Sequence, residues 1–283
     1  MDFQLRGKRA LVTGASSGLG AAIATLLARE GAEVVVHGRN EERTSLVVKA
    51  IRDEEGAATA VTGNLDTDEE ADAVAGAALA DGHVDILVNN VGYFEPQRTW
   101  SDLTSSGWAD IYNVNVLSSV RLIRRLVPPM RERRWGRVIQ ISSVTGLLPT
   151  AAQPHYGATN AARDYLSRSL SRELGETGVT ANTVAPGGIL TDAGKDTLVE
   201  FGRANTMGNT WDEMETAVVH SLAPNDIGRI ARLEEVGSAV VYLASPVANY
   251  LTGTTIRLDG NWYLPARRAT PLPLRPPTTV DTP

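Results

Sequence analysis

Tyr156 and Asn160 lie four residues apart in the run His155-Tyr156-Gly157-Ala158-Thr159-Asn160. The run opens a predicted helix, on which residues four apart share a face one turn apart. A phenol with a cation at that spacing makes a general acid/base; a phenol beside an amide is a weaker one. A second group is Thr13-Gly14-Ala15-Ser16-Ser17-Gly18-Leu19-Gly20, set between an apolar run and a helical pattern. Glycines let a backbone approach a pyrophosphate, and the helix that follows presents the positive end of its dipole. A third is His37-Gly38-Arg39-Asn40, with no carboxylate before Glu41. In dinucleotide folds an acidic side chain here grips the ribose 2′-hydroxyl, while an arginine accepts a 2′-phosphate. Arg39 therefore favours NADP(H), with NAD(H) as the alternative cofactor. His37, His83, His155 and His220 lie far apart and there is no cysteine, so no metal site is expected.

These groups need a scaffold, and the chain supplies one by alternating short apolar runs with helical patterns. Strands are expected at 10–12, 33–36, 57–62, 85–89, 137–141, 180–184 and 254–258. Helices are expected at 18–29, 41–53, 68–79, 106–133, 155–176 and 233–243, with Pro128-Pro129 breaking or kinking the fourth. The alternation predicts an α/β fold: one Rossmann-like domain, a doubly wound parallel sheet with helices on both faces. The domain is expected to span 1–263. Within it, 191–230 is read as a partly helical insertion over the substrate site. Its Leu198, Phe201, Met207, Trp211 and Met214 suit an apolar substrate, the packing of the segment itself, or a subunit interface. The proline-rich tail 264–283 is expected to be neither strand nor long helix.

Bulk properties narrow the partners. The 283 residues are 42% hydrophobic and 21% charged, an ordinary globular balance. A net charge of -6 argues mildly against nucleic acid. The basic cluster of Arg124, Arg125, Arg131, Arg133 and Arg134 reads as a solvated helix end. No apolar run reaches membrane-spanning length and the N-terminus carries no apolar signal core, so a cytoplasmic protein without a membrane partner is expected.

The motifs occur together in a known order: the Thr13 to Gly20 turn, then Asn89-Asn90-Val91-Gly92, Asn115, Ser143, Tyr156, and Pro186-Gly187 followed by Thr191. In this the chain resembles the short-chain dehydrogenase/reductase family over roughly residues 6–262. It most resembles ketoreductases of the 3-oxoacyl-carrier-protein reductase and secondary-alcohol dehydrogenase groups. The resemblance implies cofactor contacts from Gly14, Ser16, Ser17, Gly18, Leu19 and Gly20, and from Asn90 and Gly92 on the adenosine side. It implies Pro186-Gly187 under the nicotinamide, with Ile189 and Thr191 holding its carboxamide. Ser143 would polarise the substrate carbonyl, with Ser142 as the alternative, and Tyr156 would donate the proton. Asn115, with Asn113 as its competitor, would kink its helix and hold a water in the proton relay. It also implies a homotetramer or homodimer built on the long helices.

The chain departs from that pattern. Asn64, followed by Leu65, stands where an aspartate near the adenine is usual, and Val91 replaces a usual alanine. Above all, Asn160 stands where the family has a lysine that binds the nicotinamide ribose and lowers the tyrosine pKa. An amide can still bind ribose hydroxyls but supplies no charge. Arg163 and Lys195 are candidates to compensate. A free tyrosine has a pKa of about 10, so alcohol oxidation, which needs the phenolate, should suffer most, while a neutral tyrosine can still donate in reduction. The expected activity is NADP(H)-dependent reduction of a small carbonyl compound to an alcohol. Two other readings stay open: a dinucleotide-binding member without turnover, and a non-redox lyase or isomerase using the same pocket.

Overall fold

Strands rich in apolar residues and buried at every position form the centre of the sheet, as strands covered by helices on both faces must. These are β1 (Arg9–Val12), β4 (Ile86–Asn89) and β5 (Gly136–Ile141). With β2 (Glu33–Gly38), β3 (Ala57–Thr62), β6 (Val179–Pro186) and β7 (Thr255–Leu258) they make one sheet in the order β3-β2-β1-β4-β5-β6-β7. Every pairing is parallel. The structure is a computed structural model that describes residues 2–95 and 98–263. The strand order reverses between β1 and β4, and a crevice opens there at the carboxyl ends of the strands. Gly14, Asn90, Ser143 and Gly187 all follow such ends.

The first three helices begin and end where the sequence places them: α1 (Gly18–Arg29), α2 (Glu41–Asp53) and α3 (Asp68–Leu79). Asn40 caps α2, and a Thr67–Glu70 capping box starts α3. Apolar side chains on one face of the sheet pack with α1 and α9 (Leu233–Ala244), and those on the other with α3 and α5 (Ser118–Glu132).

The long helix expected at 106–133 is different. It is α4 (Ser105–Tyr112), a π-helical turn (Asn113–Leu117) and α5, and α5 runs through Pro128 and Pro129 to Glu132. The prolines do not break it. The carbonyls they leave unpaired belong to Arg124 and Arg125, which are exposed and so open to water. The break falls instead at Asn115, where side chains from other elements compete for the backbone.

Next comes α6 (Pro154–Glu173), preceded by a short 3-10 turn at Val144–Gly146. The segment 191–230 contains α7 (Asp192–Ala204) and α8 (Trp211–Leu222). Trp211 and Met214 are buried, and Leu198, Phe201 and Met207 pack against them, so these side chains form the segment's own small core. The tail 264–283 lies outside the described residues. No helix among the described residues is long and apolar enough to cross a membrane.

Candidate active site

The glycine turn is closed by hydrogen bonds. Thr13 Oγ1 accepts from the backbone of Asn90 at 2.9 Å and Val91 at 3.1 Å, and Asn90 Nδ2 donates to the carbonyls of Thr13 and Gly14. Gly14 and Gly18 have φ of +62° and +55°, which glycine adopts without strain. A Cβ at Gly20 would collide with the Gly14 carbonyl and lie 2.6 Å from Asn90 Nδ2. Behind the turn, His37 is buried, with Nδ1 accepting from the Gly14 N–H at 3.4 Å and Nε2 facing the Gly63 carbonyl at 3.2 Å. Burial pushes its pKa down to about 4, the Gly63 bond opposing. The ring is therefore neutral at pH 7, with its proton on Nε2.

Gly38 lets Ser16 close in: a Cβ there would lie 2.8 Å from Ser16 Cβ. Arg39, next along, is exposed and has no ion pair among the described residues. After β3, Asn64 is exposed and donates to Glu70, while Leu65 is buried. Across the crevice, Thr191 caps α7 and its methyl lies 3.7 Å from where a Gly18 Cβ would stand. Gly187, at the end of β6, packs against Asp259, and Ile189 bridges to Ala231.

The second group gathers at the start of α6. Ser143 lies two residues past the end of β5 and caps the 3-10 turn, its Oγ accepting from Thr145 N at 3.3 Å and Thr145 Oγ1 at 3.1 Å. That turn docks on α6 so closely that a Gly146 Cβ would lie 3.0 Å from Asn160 Cβ. Ser143 and the Tyr156–Asn160 turn are thereby held at one corner of the crevice. Ser142 is buried beside the buried Asp164. Burial pushes that carboxyl up to about 6, with the Ser142 hydroxyl and the charges of Arg168 and Arg163 opposing.

Asn115 lies in the π turn, buried. Its Oδ1 accepts from Tyr93 N at 2.6 Å, and its Nδ2 donates to Tyr93 O at 3.0 Å and Thr159 Oγ1 at 3.1 Å. Asn113 faces away, bonded to Asp66 and Arg121. The Tyr156 ring stacks edge-on against Phe94, centroids 4.9 Å apart. Asn160 is buried and donates its amide to the Tyr156 carbonyl at 2.9 Å, a bond it would give up to reach a ribose.

A family model for short chain dehydrogenases matches residues 8–199. The chain belongs to the short-chain dehydrogenase/reductase family. It is thus an NAD(P)-dependent oxidoreductase of that family. It is 38% identical over 263 residues to the 3-oxoacyl-[acyl-carrier-protein] reductase FabG of Vibrio cholerae, covering 93% of this chain and 100% of that one. Among solved structures it resembles a 3-oxoacyl (acyl-carrier-protein) reductase from Agrobacterium tumefaciens C58 with NADP bound. The TM-score is 0.83 at 36% identity, covering 92% of this chain and 96% of that one. It also resembles the L-sorbose reductase of Gluconobacter frateurii complexed with NADPH and L-sorbose. There the TM-score is 0.85 at 33% identity, covering 92% and 98%.

Within this short-chain dehydrogenase/reductase the structure adds two features around α6. His155 is fully buried, with Nε2 3.4 Å from Glu95 and its ring edge-on to Trp108. Burial, the largest influence on Glu95, pushes its pKa up, but bonds from His155 and Tyr93 and the Arg98 contact together leave it below the usual carboxylate range. The second is Arg163, only 3% exposed, whose guanidinium donates to the carbonyls of Asn115, Ile141 and Val91. Burial pushes its pKa down to about 10, while Tyr156 and then Asp164 pull it up, so it stays charged at pH 7. Lys195, the other candidate cation, is exposed on α7. The signal for Arg163 was available as spacing: seven residues from Tyr156 is two turns along one helix face.

Proposed function

We propose that this protein is an NADP(H)-dependent ketoreductase, with Tyr156 as proton donor and Ser143 polarising the carbonyl. The observation that carries the reading is the docking of the Ser143 turn onto the Tyr156–Asn160 turn through Gly146. It sets a hydroxyl and a phenol at one corner of the crevice, beside strand ends where a dinucleotide fits. Gly14, Gly18 and Gly20, with Ser16, Ser17 and Leu19, would cradle its pyrophosphate; the cradle fits because a side chain at Gly18 would stand in the crevice, 3.7 Å from the Thr191 methyl, while the bare Gly20 lets α1 pack on the turn. Asn64, Leu65, Asn90 and Gly92 would line the adenosine side, and Pro186, Gly187, Ile189 and Thr191 the nicotinamide. Arg39, exposed and without an ion pair among the described residues, would take the 2′-phosphate, in keeping with the NADP and NADPH named for the two solved relatives.

When bound, the cofactor supplies the hydride. Tyr156 then gives its hydroxyl proton to the carbonyl oxygen as charge develops there, and Ser143 shares that charge through its own hydrogen bond. Asn115 ties the Tyr93 backbone to Thr159 and so fixes the wall opposite the phenol. The wall is aromatic and partly exposed at Tyr93 and Phe94, which suits a substrate with an apolar part. The segment 191–230 would cover this site.

The test is cofactor consumption with L-sorbose, an acetoacetyl thioester and simple ketones. NADPH is expected to be oxidised faster than NADH, and Tyr156→Phe to lower turnover by about 100-fold or more. A Tyr156→Phe protein as fast as its parent would end the assignment. A second reading rests on the Asn160 amide being committed to the Tyr156 carbonyl: a dinucleotide-binding protein without turnover. NADPH binding with no consumption across the panel would favour it.

A further inference from the structure

The site has a buried cation that the tyrosine-asparagine pair does not explain. Arg163 lies on the Tyr156 face of α6, and its guanidinium is held by three carbonyls from three elements. The Asn115 carbonyl comes from the π turn, the Ile141 carbonyl from the end of β5 just before the serines, and the Val91 carbonyl from the segment after β4. A Cβ at Gly92 would lie 4.0 Å from Arg163 Nη1 and 3.9 Å from Asn115 Oδ1, so the cation borders the crevice where Gly92 lines it. Carbonyls orient a guanidinium but do not neutralise it. Its net charge acts in a site of low dielectric, where charge interactions are stronger than in water. Arginine keeps that charge through the working pH range.

We propose that Arg163 supplies the fixed positive charge beside the Tyr156 phenol that Asn160 cannot supply, acting as a positioning residue through the Asn115, Ile141 and Val91 carbonyls. This deepens the ketoreductase reading and rests on its assignment of Tyr156. Arg163 does two things in this account. It favours negative charge on the phenol oxygen when the proton leaves. It also locks the π turn, the serine turn and the Gly92 segment in one register. The extra length of arginine and its planar fork let the cation act from position 163, a turn beyond position 160.

The elements packed against the start of α6 carry other ionisable groups, which define the background. On α6 they are His155 and Asp164; from the segment after β4, Tyr93, Glu95 and Arg98; from α4, Asp110 and Tyr112; from β5, Arg137 at its far end. The 3-10 turn, the π turn and β6 contribute none. Of the cations among the described residues, only Arg163 is both buried and on the face of Tyr156.

The test reads the phenolate band of Tyr156 directly, as the ultraviolet difference between each protein and its Tyr156→Phe counterpart over pH, with NADPH bound. It needs no turnover, so it separates from failure of the ketoreductase reading. Arg163→Leu is expected to move the titration up by about one unit or more, a tenfold change in the equilibrium. Arg163→Gln, which keeps amide donors for the carbonyls, carries the same expectation should the leucine variant not fold. Arg163→Lys is expected to leave the titration within a few tenths of a unit. Asn160→Lys is expected to bring it back down in the Arg163→Leu background and to move it much less when Arg163 is present. An unmoved titration in the neutral variants overturns the proposal, as does an Asn160→Lys shift of equal size in both backgrounds. Where a substrate is found, the same order should appear in the pH profile of alcohol oxidation.

Discussion

His37 couples the glycine turn to pH. Its neutral ring accepts from Gly14 N and faces the Gly63 carbonyl, and its pKa is pushed down from 6.5 to about 4 by burial. Between those two values the unfolded chain binds the extra proton and the folded chain does not. Stability from this residue is therefore complete above about pH 6.5 and is lost as pH falls toward 4. The full loss is on the order of 3 kcal/mol, at 1.36 kcal/mol per unit. Protonation would also turn Nδ1 into a donor facing the Gly14 N–H, so the turn itself should distort. Urea unfolding at a series of pH values, compared between the parent and His37→Gln, checks this. The parent should lose more stability on acidification than the variant by a few kcal/mol. Parallel pH dependences would show that His37 is not the group responsible. A related residue-scale contrast is Asn160, where the sequence reveals the missing cation and two candidates to replace it, Arg163 and Lys195, but not which of them reaches the site. Arg163 is singled out from Lys195 once three carbonyls from separated parts of the chain are seen to converge on it.

The elements differ in how much of themselves they declare. Glycine placement, caps and apolar runs are local, and they mark the first three helices to the residue and every strand of the sheet closely. The π turn is not local. It exists because Asn115 is bonded to Tyr93 and Thr159 and its carbonyl to Arg163, partners 22 to 48 residues away. A proline pair, the usual helix-breaking signal, is harmless nearby because its orphaned carbonyls face solvent. The apolar residues of 191–230 carry the same lesson: their types suit a substrate or a core, and only contacts show that Trp211 and Met214 form a core. The strand-turn-helix element at Gly14–Gly20 was legible, and its prediction is steric. An alanine at 20 places a methyl against the Gly14 carbonyl and 2.9 Å from Ala15 Cα, backbone atoms that cannot swing aside. Gly20→Ala should cost about 1–3 kcal/mol by overpacking and weaken NADPH binding at least tenfold. Thermal unfolding and fluorescence titration with NADPH measure the two effects. Unchanged binding would mean that the turn is not the pyrophosphate cradle.

At the scale of the molecule, α6 carries the site on one side and an exposed stripe on the other. Ala161, Tyr165, Ser169 and Arg172 recur at helical spacing and are all exposed, with Tyr165 at 67%. Leu117, in the π turn that packs against α6, is 43% exposed. A small residue beside an aromatic on a rigid helix suits an isologous contact, in which the same stripe meets itself across a two-fold axis. Such a contact would brace α6 from behind and so hold Tyr156 and Arg163 against the crevice. Light scattering is expected to give two or four times the 30.2 kDa chain mass. Tyr165→Glu, which sets a charge opposite its own copy, is expected to lower that mass. Each chain carries -6, so association at low ionic strength works against repulsion, which screening at about 0.15 M largely removes beyond roughly 8 Å. The assembly should therefore tighten as salt rises through that range. A single-chain mass at every salt concentration would refute the stripe as an interface, and α6 would then owe its rigidity to its own packing on β5 and β6.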